Sequence, residues 1–144
     1  MKLVQPYVLP RPFNGYNIPG AIQSAYLKNY SIAKKFDFRL PIVEITTSST
    51  FYLLKGFLNK NKNLEINISL ASLFVFPIYS KEQIKDLFED YLQLNITLHG
   101  VLENKIFSLE EFFEWTESVR NINNLTHTYN SDFMSKIMDN LDGN

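Results

Sequence analysis

The sequence contains no cysteine, which excludes disulfides, thiolate metal ligands and a cysteine nucleophile. It has only two histidines, which excludes a histidine-rich metal site. No apolar run approaches the roughly 20 residues that cross a bilayer, and the first residues lack the apolar core of a signal peptide. The net charge is -1, so no global field attracts nucleic acid or an anionic membrane. These absences predict a cytoplasmic protein with no membrane span, no nucleic-acid partner, no metal and no cofactor.

The composition is that of a folded chain with one core. Its 144 residues are 45% hydrophobic and 20% charged. We predict one α/β domain over residues 1–120 and a C-terminal extension over residues 121–144 that carries a short amphipathic helix, about Ser131 to Leu141. The apolar stripe of that helix needs a partner. It therefore folds back on the domain or packs on another subunit, which makes a homo-oligomer possible.

The most apolar stretch of the chain runs from Glu65 to Pro77 and predicts a strand that is buried on both faces. Such strands are typical of parallel sheets covered by helices. Further strands are predicted over residues 3–9, 38–45 and 95–102, with helices between them. The order βαβαβαβα predicts a three-layer α/β/α sandwich with a mainly parallel sheet of about four strands, flavodoxin-like or resolvase-like.

Local signals place the helices and one turn. Two capping boxes, Ser80 to Gln83 and Ser108 to Glu111, each predict the start of a helix. Asn14-Gly15 predicts a turn, because both residues tolerate positive φ. The chain becomes polar from Asn121, where the helix that begins near Ser108 is predicted to end. In the first helix, the spacing of three and four residues predicts one buried face, formed by Ile22, Tyr26, Tyr30 and Ala33.

Polar residues follow the predicted strands at their carboxyl ends, where open parallel sheets bind ligands. Glu44, His99 and Glu103 are candidates for acid–base catalysis near neutral pH. The planar fork of Arg11 suits a carboxylate or a phosphate. The remaining candidate ligand-binding residues are Asn14, Gln23 and Ser72, together with the hydroxyl-rich segment Thr46, Thr47, Ser48 and Ser49, which could receive an anion at a helix N-terminus.

Each of these residues also has a purely structural interpretation. Arg11 could pair with a surface carboxylate, Ser72 could bond to the backbone, and His99 could be a satisfied core histidine. Glu44 needs a partner, because burying a lone carboxylate costs about 3 kcal/mol or more. No GxGxxG, GxxxxGK[ST], GxSxG or HExxH motif occurs, so nucleotide cofactors and P-loop chemistry are disfavoured.

Five blocks of the sequence occur in order between Val8 and Trp115: Arg11 to Gln23, Asn29-Tyr30, Val43 to Ile45, Ala71 to Pro77 and Leu98 to Glu103. They resemble the sporadic carbohydrate cluster proteins, small proteins encoded in bacterial surface-polysaccharide loci. The resemblance implies a role in making a bacterial glycan such as O-antigen or capsule. The family has aromatic residues where this chain has Ile45 and Ala71, which leaves open a different ligand or a lost activity.

A fainter likeness is to the catalytic domain of serine recombinases. The βαβα order, the Gln after the first loop and the Glu that ends the second strand are similar. The place of the nucleophilic serine holds Pro10-Arg11-Pro12, so this likeness concerns topology alone, and topology does not carry function.

Two functions are compatible with these patterns. The first is an enzyme that acts on an activated or phosphorylated sugar by isomerase, epimerase or lyase-type acid–base chemistry. The second is a non-catalytic scaffold or binding partner of a glycan-pathway enzyme. A polar pocket that holds Arg11, Glu44 and His99 together favours the enzyme, whereas a Glu44 engaged in a structural pair favours the scaffold.

Overall fold

Six strands and four helices follow one another in the part of the chain that the structure describes, residues 2–44 and 51–142 of a computed structural model. Side chains are described for residues 2–44, 51–126 and 134–139. The elements are β1 (Leu3–Val8), α1 (Gly20–Lys34), β2 (Asp37–Phe38), β3 (Ile42–Val43), α2 (Tyr52–Lys60), β4 (Ile66–Leu70), α3 (Lys81–Phe88), β5 (Ile96–Gly100), β6 (Lys105–Ser108) and α4 (Leu109–Asp142).

All strands belong to one sheet with the order β2-β1-β4-β5-β6, in which β3 also pairs with β1. Every pairing is parallel except that of β5 with β6. The prediction of a mixed α/β chain with a mainly parallel sheet is confirmed. The sheet has six strands rather than about four, because β6 returns beside β5 and because the second predicted strand is divided in two.

Two prolines explain that division. Pro41 lies between β2 and β3, and Pro6 lies within β1, so the ladder between these strands lacks backbone donors there. The side chain of Gln5 fills the gap: its Nε2 donates to the carbonyl of Pro6 at 3.0 Å and to that of Leu40 at 2.9 Å. The side-chain amide thus satisfies carbonyls that a continuous ladder would have paired.

The strand β4 is the centre of the sheet, and all of its residues are buried, as predicted. It ends at Leu70 instead of continuing to Pro77. The chain then bends, and Leu73–Val75 forms a short 3-10 turn at the carboxyl edge of the sheet. This turn, rather than a longer strand, places the side chains that surround the candidate site.

The core is built around the ring of Phe76. Its centroid lies 6.0 Å from that of Tyr7, 5.7 Å from that of Phe88 and 5.9 Å from that of Phe112. Ile84, Leu87 and Phe88 of α3 are buried, as are Leu54 and Leu58 of α2. Aromatic packing on Phe76, stacked with Tyr7 and edge-to-face with Phe88 and Phe112, therefore ties β1, α3 and α4 together.

The helix α1 buries a different face from the predicted one. Of the predicted inward residues, Ile22, Tyr26 and Ala33 are exposed, and Tyr30 is half-buried against His99. The buried residues are Gln23, Leu27 and Ser31. The reason is the sheet beside α1, which carries the buried polar side chains of Asn67, Ser69 and His99. A polar layer of this kind cannot be recognised from a hydrophobic spacing, so the pattern selected the wrong side of the helix.

Both capping boxes begin helices as predicted. Ser108 and Glu111 bond reciprocally, backbone N–H to side-chain oxygen, at 3.1 and 3.2 Å, and Ser80 Oγ accepts from the N–H of Gln83. The helix end predicted at Asn121 is wrong, because α4 runs for 34 residues without a break. The predicted short helix from Ser131 forms the last turns of α4, and the domain boundary at residue 120 stays a prediction.

Candidate functional site

The strand order creates a crevice at the carboxyl ends of β1 and β4. From β1 the chain passes to β2 on one side, and from β3 it passes through α2 to β4 on the other side. In open α/β sheets this reversal is the usual place for a ligand, since the two loops that leave the strands diverge there. The crevice is walled by the loop after β1, the turn after β4 and the hairpin after β5.

The loop after β1 contains a very small hairpin. Phe13 and Tyr16 exchange two backbone hydrogen bonds of 2.8 Å, and Asn14 and Gly15 between them have φ values of 49° and 78°. Both values fit the tight turn that Asn-Gly favours. The tip lies on the turn after β4: the ring of Phe13 stacks on Phe74 at 6.3 Å, and Tyr79 donates to Oδ1 of Asn14 at 2.8 Å.

Gln23 holds this loop from behind. Its side chain is fully buried, and Nε2 donates to the carbonyl of Leu9 at 3.1 Å and to that of Ile18 at 2.9 Å. The two carbonyls lie at the beginning and near the end of the loop. One buried amide thus sets the span of the loop, and Gln23 acts on the crevice by positioning it rather than by lining it.

Two cavities open into the crevice and share Phe13, Asn14 and Phe74 as a common wall. The first, of about 340 Å³, is lined by Arg11, Tyr79 and Ser80 among others. The second, of about 300 Å³, lies beside the 3-10 turn, and its polar lining comes from Ser72, Tyr16, Asn14 and Glu103. Together they give a crevice with a cation at one end and a carboxylate at the other.

Arg11 is half-buried, and burial lowers the pKa of its guanidinium below the ordinary value. Within the described residues its side chain makes no hydrogen bond and no ion pair, and the ion pair found there joins Lys2 to Glu65 at 4.0 Å. A partly desolvated guanidinium, which carries five donors, is a ready partner for a planar or tetrahedral anion.

Ser72 and Glu103 are joined to each other. The Ser72 hydroxyl donates to Oε2 of Glu103 at 2.8 Å, and Oε1 accepts from the N–H of Leu73 at the start of the 3-10 turn. Ser72 Oγ in turn accepts from the N–H of Phe74 at 3.1 Å. The carboxylate thus fixes the turn that carries Phe74, and it keeps further lone pairs for a donor in the second cavity.

Glu44 lies elsewhere and is fully engaged. It is 3% exposed, and its carboxylate accepts from the Tyr7 hydroxyl at 2.9 Å and from the N–H groups of Leu53 and Leu54 at 2.9 and 3.2 Å. The last two groups belong to the first turn of α2, where backbone donors have no partner within the helix. Glu44 therefore caps α2, and these three donors are the partners that a buried carboxylate needs.

His99 is a buried histidine with both ring nitrogens engaged. Tyr30 donates from its hydroxyl to Nδ1 at 2.8 Å, and Nε2 donates to Oδ1 of Asn67 at 3.2 Å, in the tautomer that satisfies both contacts. Burial, with a further effect of Lys2, lowers the pKa of His99 to about 4. The imidazole is therefore neutral near pH 7 and has no free nitrogen for a substrate.

The structure thus brings some of the predicted site residues together and separates others. Arg11, Asn14, Ser72 and Glu103 line the crevice. Pro6, Ser69 and His99 are in register on one face of the sheet, whereas Tyr7, which bonds to Glu44, points to the opposite face. Glu44 and His99 therefore do not share a pocket. The segment Thr46 to Ser49 lies outside the described residues.

The aromatic wall was not among the predicted site residues. Phe13, Phe74 and Tyr79 line the crevice, where Phe13 and Tyr79 lie in loops and Phe74 lies in the 3-10 turn at the carboxyl edge. Phe13 and Tyr79 fall between predicted elements, next to strand ends, and that position was the available signal for these two rings. Phe74 falls inside the strand predicted over Glu65 to Pro77, so no signal of this kind marked it.

In residues 2–44 and 51–142, no helix is both long enough and apolar enough to cross a bilayer. Over the same ranges, three or more metal-binding side chains do not gather at one place. Comparison of the chain with family models, with curated proteins and with solved structures finds no match.

Proposed function

We propose that this protein binds an anionic, sugar-derived small molecule in the crevice at the carboxyl ends of β1 and β4, as part of bacterial surface-glycan synthesis. The observation that carries the proposal is the half-buried guanidinium of Arg11, which faces a cavity of about 340 Å³ without a carboxylate partner in the described chain. The glycan pathway rests on the resemblance to the sporadic carbohydrate cluster proteins.

The anionic part of the ligand follows from Arg11. Partial burial of a charge has a cost that an incoming counter-ion recovers, and a phosphate or carboxylate can accept two parallel bonds from one guanidinium. The nearby Ser80 and Asn14 offer neutral polar groups on the same cavity. An activated or phosphorylated sugar has both the charge and the size for such a site.

The sugar part follows from the rest of the crevice. Phe13, Phe74 and Tyr79 present ring surfaces, and the C–H faces of a sugar ring pack on surfaces of that kind. Glu103 and Ser72 offer acceptors on the second cavity for hydroxyl groups. Apolar walls with a few fixed polar groups are the usual composition of small-molecule sites.

The contacts of the three acid–base candidates support ligand binding, rather than catalysis, as the function of the crevice. Glu44 caps α2, Glu103 fixes the 3-10 turn, and the two nitrogens of His99 are occupied. A catalytic acid or base needs a proton in reach of the substrate. The catalytic role of these residues remains a prediction. The same proposal includes a three-layer α/β/α arrangement and a cytoplasmic location.

The test is a calorimetric titration with sugar 1-phosphates, nucleotide sugars and sugar acids, and with the matching neutral sugars. We expect an anionic ligand to bind and to raise the melting temperature, since 100-fold excess over Kd stabilises by about 2.7 kcal/mol. Arg11→Ala should weaken binding at least tenfold. Arg39→Ala, which removes an exposed arginine away from the crevice, should leave binding unchanged.

Two results would count against the proposal. One is equal binding of the charged and the neutral sugar. The other is unchanged binding by Arg11→Ala while the variant melts as the wild type does. Arg11→Lys separates charge from shape, because lysine keeps the charge but cannot form the bidentate contact.

A further inference from the structure

The small hairpin of the loop after β1, residues 12–17, lies between the two cavities of the crevice. The paired backbone bonds of Phe13 and Tyr16 close it, so it moves as one unit. All of its residues are exposed except Phe13, which is half-buried. Among the described residues, its hydrogen bond to the rest of the chain is the 2.8 Å bond from the hydroxyl of Tyr79 to Oδ1 of Asn14. The tip of the hairpin is therefore held by little more than this bond and the ring of Phe13.

The two ends of the hairpin are fixed more firmly than its tip. Gln23 donates to the carbonyls of Leu9 and Ile18, which lie on either side of it. The N–H of Arg11 also donates to the carbonyl of Leu9, at 2.8 Å. The hairpin can thus lift about its two ends while Arg11 stays in place, which separates the anion-binding side chain from the part that moves.

The wall between the two cavities is closed by stacked rings. The rings of Phe13 and Phe74 are 15° from parallel, and their centroids lie 6.3 Å apart. A group that passes between two ring faces needs about 7 Å or more, because each carbon contact takes about 3.5 Å or more. A ligand that reaches from Arg11 in one cavity to Glu103 in the other cannot pass between these rings while the hairpin lies on Phe74.

We propose that residues 12–17 are a lid, which lifts from Phe74 to admit a ligand that spans both cavities and then closes on it. The hydrogen bond between Tyr79 and Asn14 is the latch of this lid, since it joins the tip of the hairpin to the segment after β4. The inference rests on the proposed function, because the ligand that the lid admits is the anionic sugar proposed above.

The lid distinguishes ligands by their reach. Inorganic phosphate needs only the cavity beside Arg11, whereas a sugar phosphate that also reaches Ser72 and Glu103 has to cross the wall. Association of the larger ligand slows in proportion to the fraction of open lid, and a lid closed on the bound ligand slows its release. The latch therefore controls both rate constants of the larger ligand and neither rate constant of phosphate.

The test is surface plasmon resonance of the wild type and of Tyr79→Phe, with the anionic sugar that binds most tightly in the titration above. Tyr79→Phe removes the hydroxyl of the latch and keeps a ring beside Phe74. We expect association and dissociation both to become roughly three- to tenfold faster, the factor that corresponds to the loss of one hydrogen bond. Their ratio, Kd, should change little, and the affinity for inorganic phosphate should stay unchanged.

Tyr52→Phe is the matched control, because it removes a hydroxyl from an exposed ring of α2 that lines neither cavity. It should alter neither rate constant, and circular dichroism verifies that both variants fold. Faster dissociation of Tyr79→Phe with unchanged association would mean that Tyr79 contacts the ligand directly, and it would overturn the lid. Two unchanged rate constants would overturn the lid as well, while the proposed function would stand. A wild type that binds none of the anionic sugars overturns the proposed function and the lid together.

Discussion

The hydroxyl of Tyr7 donates a 2.9 Å hydrogen bond to Oε2 of Glu44, and both side chains are buried. Burial raises the pKa of the Tyr7 hydroxyl above its ordinary value, and the neighbouring carboxylate raises it further. The hydroxyl therefore stays protonated and remains a donor. This pair links β1 to the first turn of α2, so we assign it to folding rather than to chemistry.

Tyr7→Phe should lower the free energy of unfolding by about 1–3 kcal/mol, because a buried carboxylate loses one of its donors while the ring keeps its packing on Phe76. Urea denaturation measures the change. Tyr52→Phe removes a hydroxyl from an exposed ring and should alter stability by less than about 0.5 kcal/mol. Equal effects of the two substitutions would show that the Tyr7 bond contributes nothing.

His99 should make stability depend on pH. Its pKa is about 4 in the folded protein, below the ordinary value of 6.5, so the unfolded chain binds a proton that the folded protein does not bind between these pH values. The contribution of His99 to the free energy of unfolding is fully present above pH 6.5 and is lost as the pH is lowered towards 4. A change of one pKa unit corresponds to about 1.4 kcal/mol in the free energy of unfolding. Because solvent screening weakens the effect, we expect a total loss of about 2 kcal/mol over this pH range.

The measurement compares the wild type with His99→Gln, which cannot take up the proton, at pH 7 and at pH 4.5. We expect the wild type to be more stable at pH 7 and the difference to narrow at pH 4.5. Other groups titrate equally in both proteins and cancel in the comparison. A difference that stays constant with pH would mean that the buried imidazole does not resist protonation.

Gly100 should not tolerate a side chain. A Cβ there would lie 2.6 Å from Cγ of Leu73 and 2.9 Å from Oε1 of Glu103, because β5 ends directly against the turn after β4. Gly100→Ala should therefore destabilise by about 1–3 kcal/mol. Gly56→Ala is the control in α2, where a Cβ would meet nothing within 4 Å, and it should be neutral or stabilise by up to about 1 kcal/mol. Thermal unfolding that ranks the two variants in the opposite order would contradict this.

Ser108, which caps α4, should contribute more to stability than a serine within the same helix. Ser108→Ala removes the hydroxyl that accepts a hydrogen bond from the N–H of Glu111 and so disrupts the capping box. It should lower the free energy of unfolding by about 1 kcal/mol. Ser118→Ala removes an exposed hydroxyl that bonds only to the carbonyl of Glu114, so it should change stability by a few tenths at most, about 0.3 kcal/mol. Chemical denaturation of the two variants side by side checks the difference.

The sequence was a good guide wherever a contact joins residues close in the chain. Ser80 with Gln83, Ser108 with Glu111 and the Asn14-Gly15 turn were all predicted, because each depends on hydrogen bonds within one turn of backbone. The buried run around β4 was also clear, since burial on both faces leaves an uninterrupted apolar pattern.

Contacts between residues far apart in the chain could not be predicted from local sequence patterns. The inner face of α1 depends on what the sheet presents to it, and that surface is polar at Asn67, Ser69 and His99. The same holds for the site: topology placed Arg11, Ser72 and Glu103 at one edge, but the partners that occupy Glu44 come from β1 and α2. The strand β6 was not predicted, because a run of four residues is too short to be distinguished from a loop.

The chain has one tryptophan, and its position makes it an internal reporter. Trp115 packs edge-on against Phe74, a ring that both cavities share as a wall, and the centroid of its ring lies 5.8 Å from that of Phe107. Its indole is half-buried, so its fluorescence emission depends on how closely the turn after β4 stays packed. A ligand that displaces Phe74 should shift the emission of an unlabelled protein, and unfolding should shift it to the red in the same cuvette.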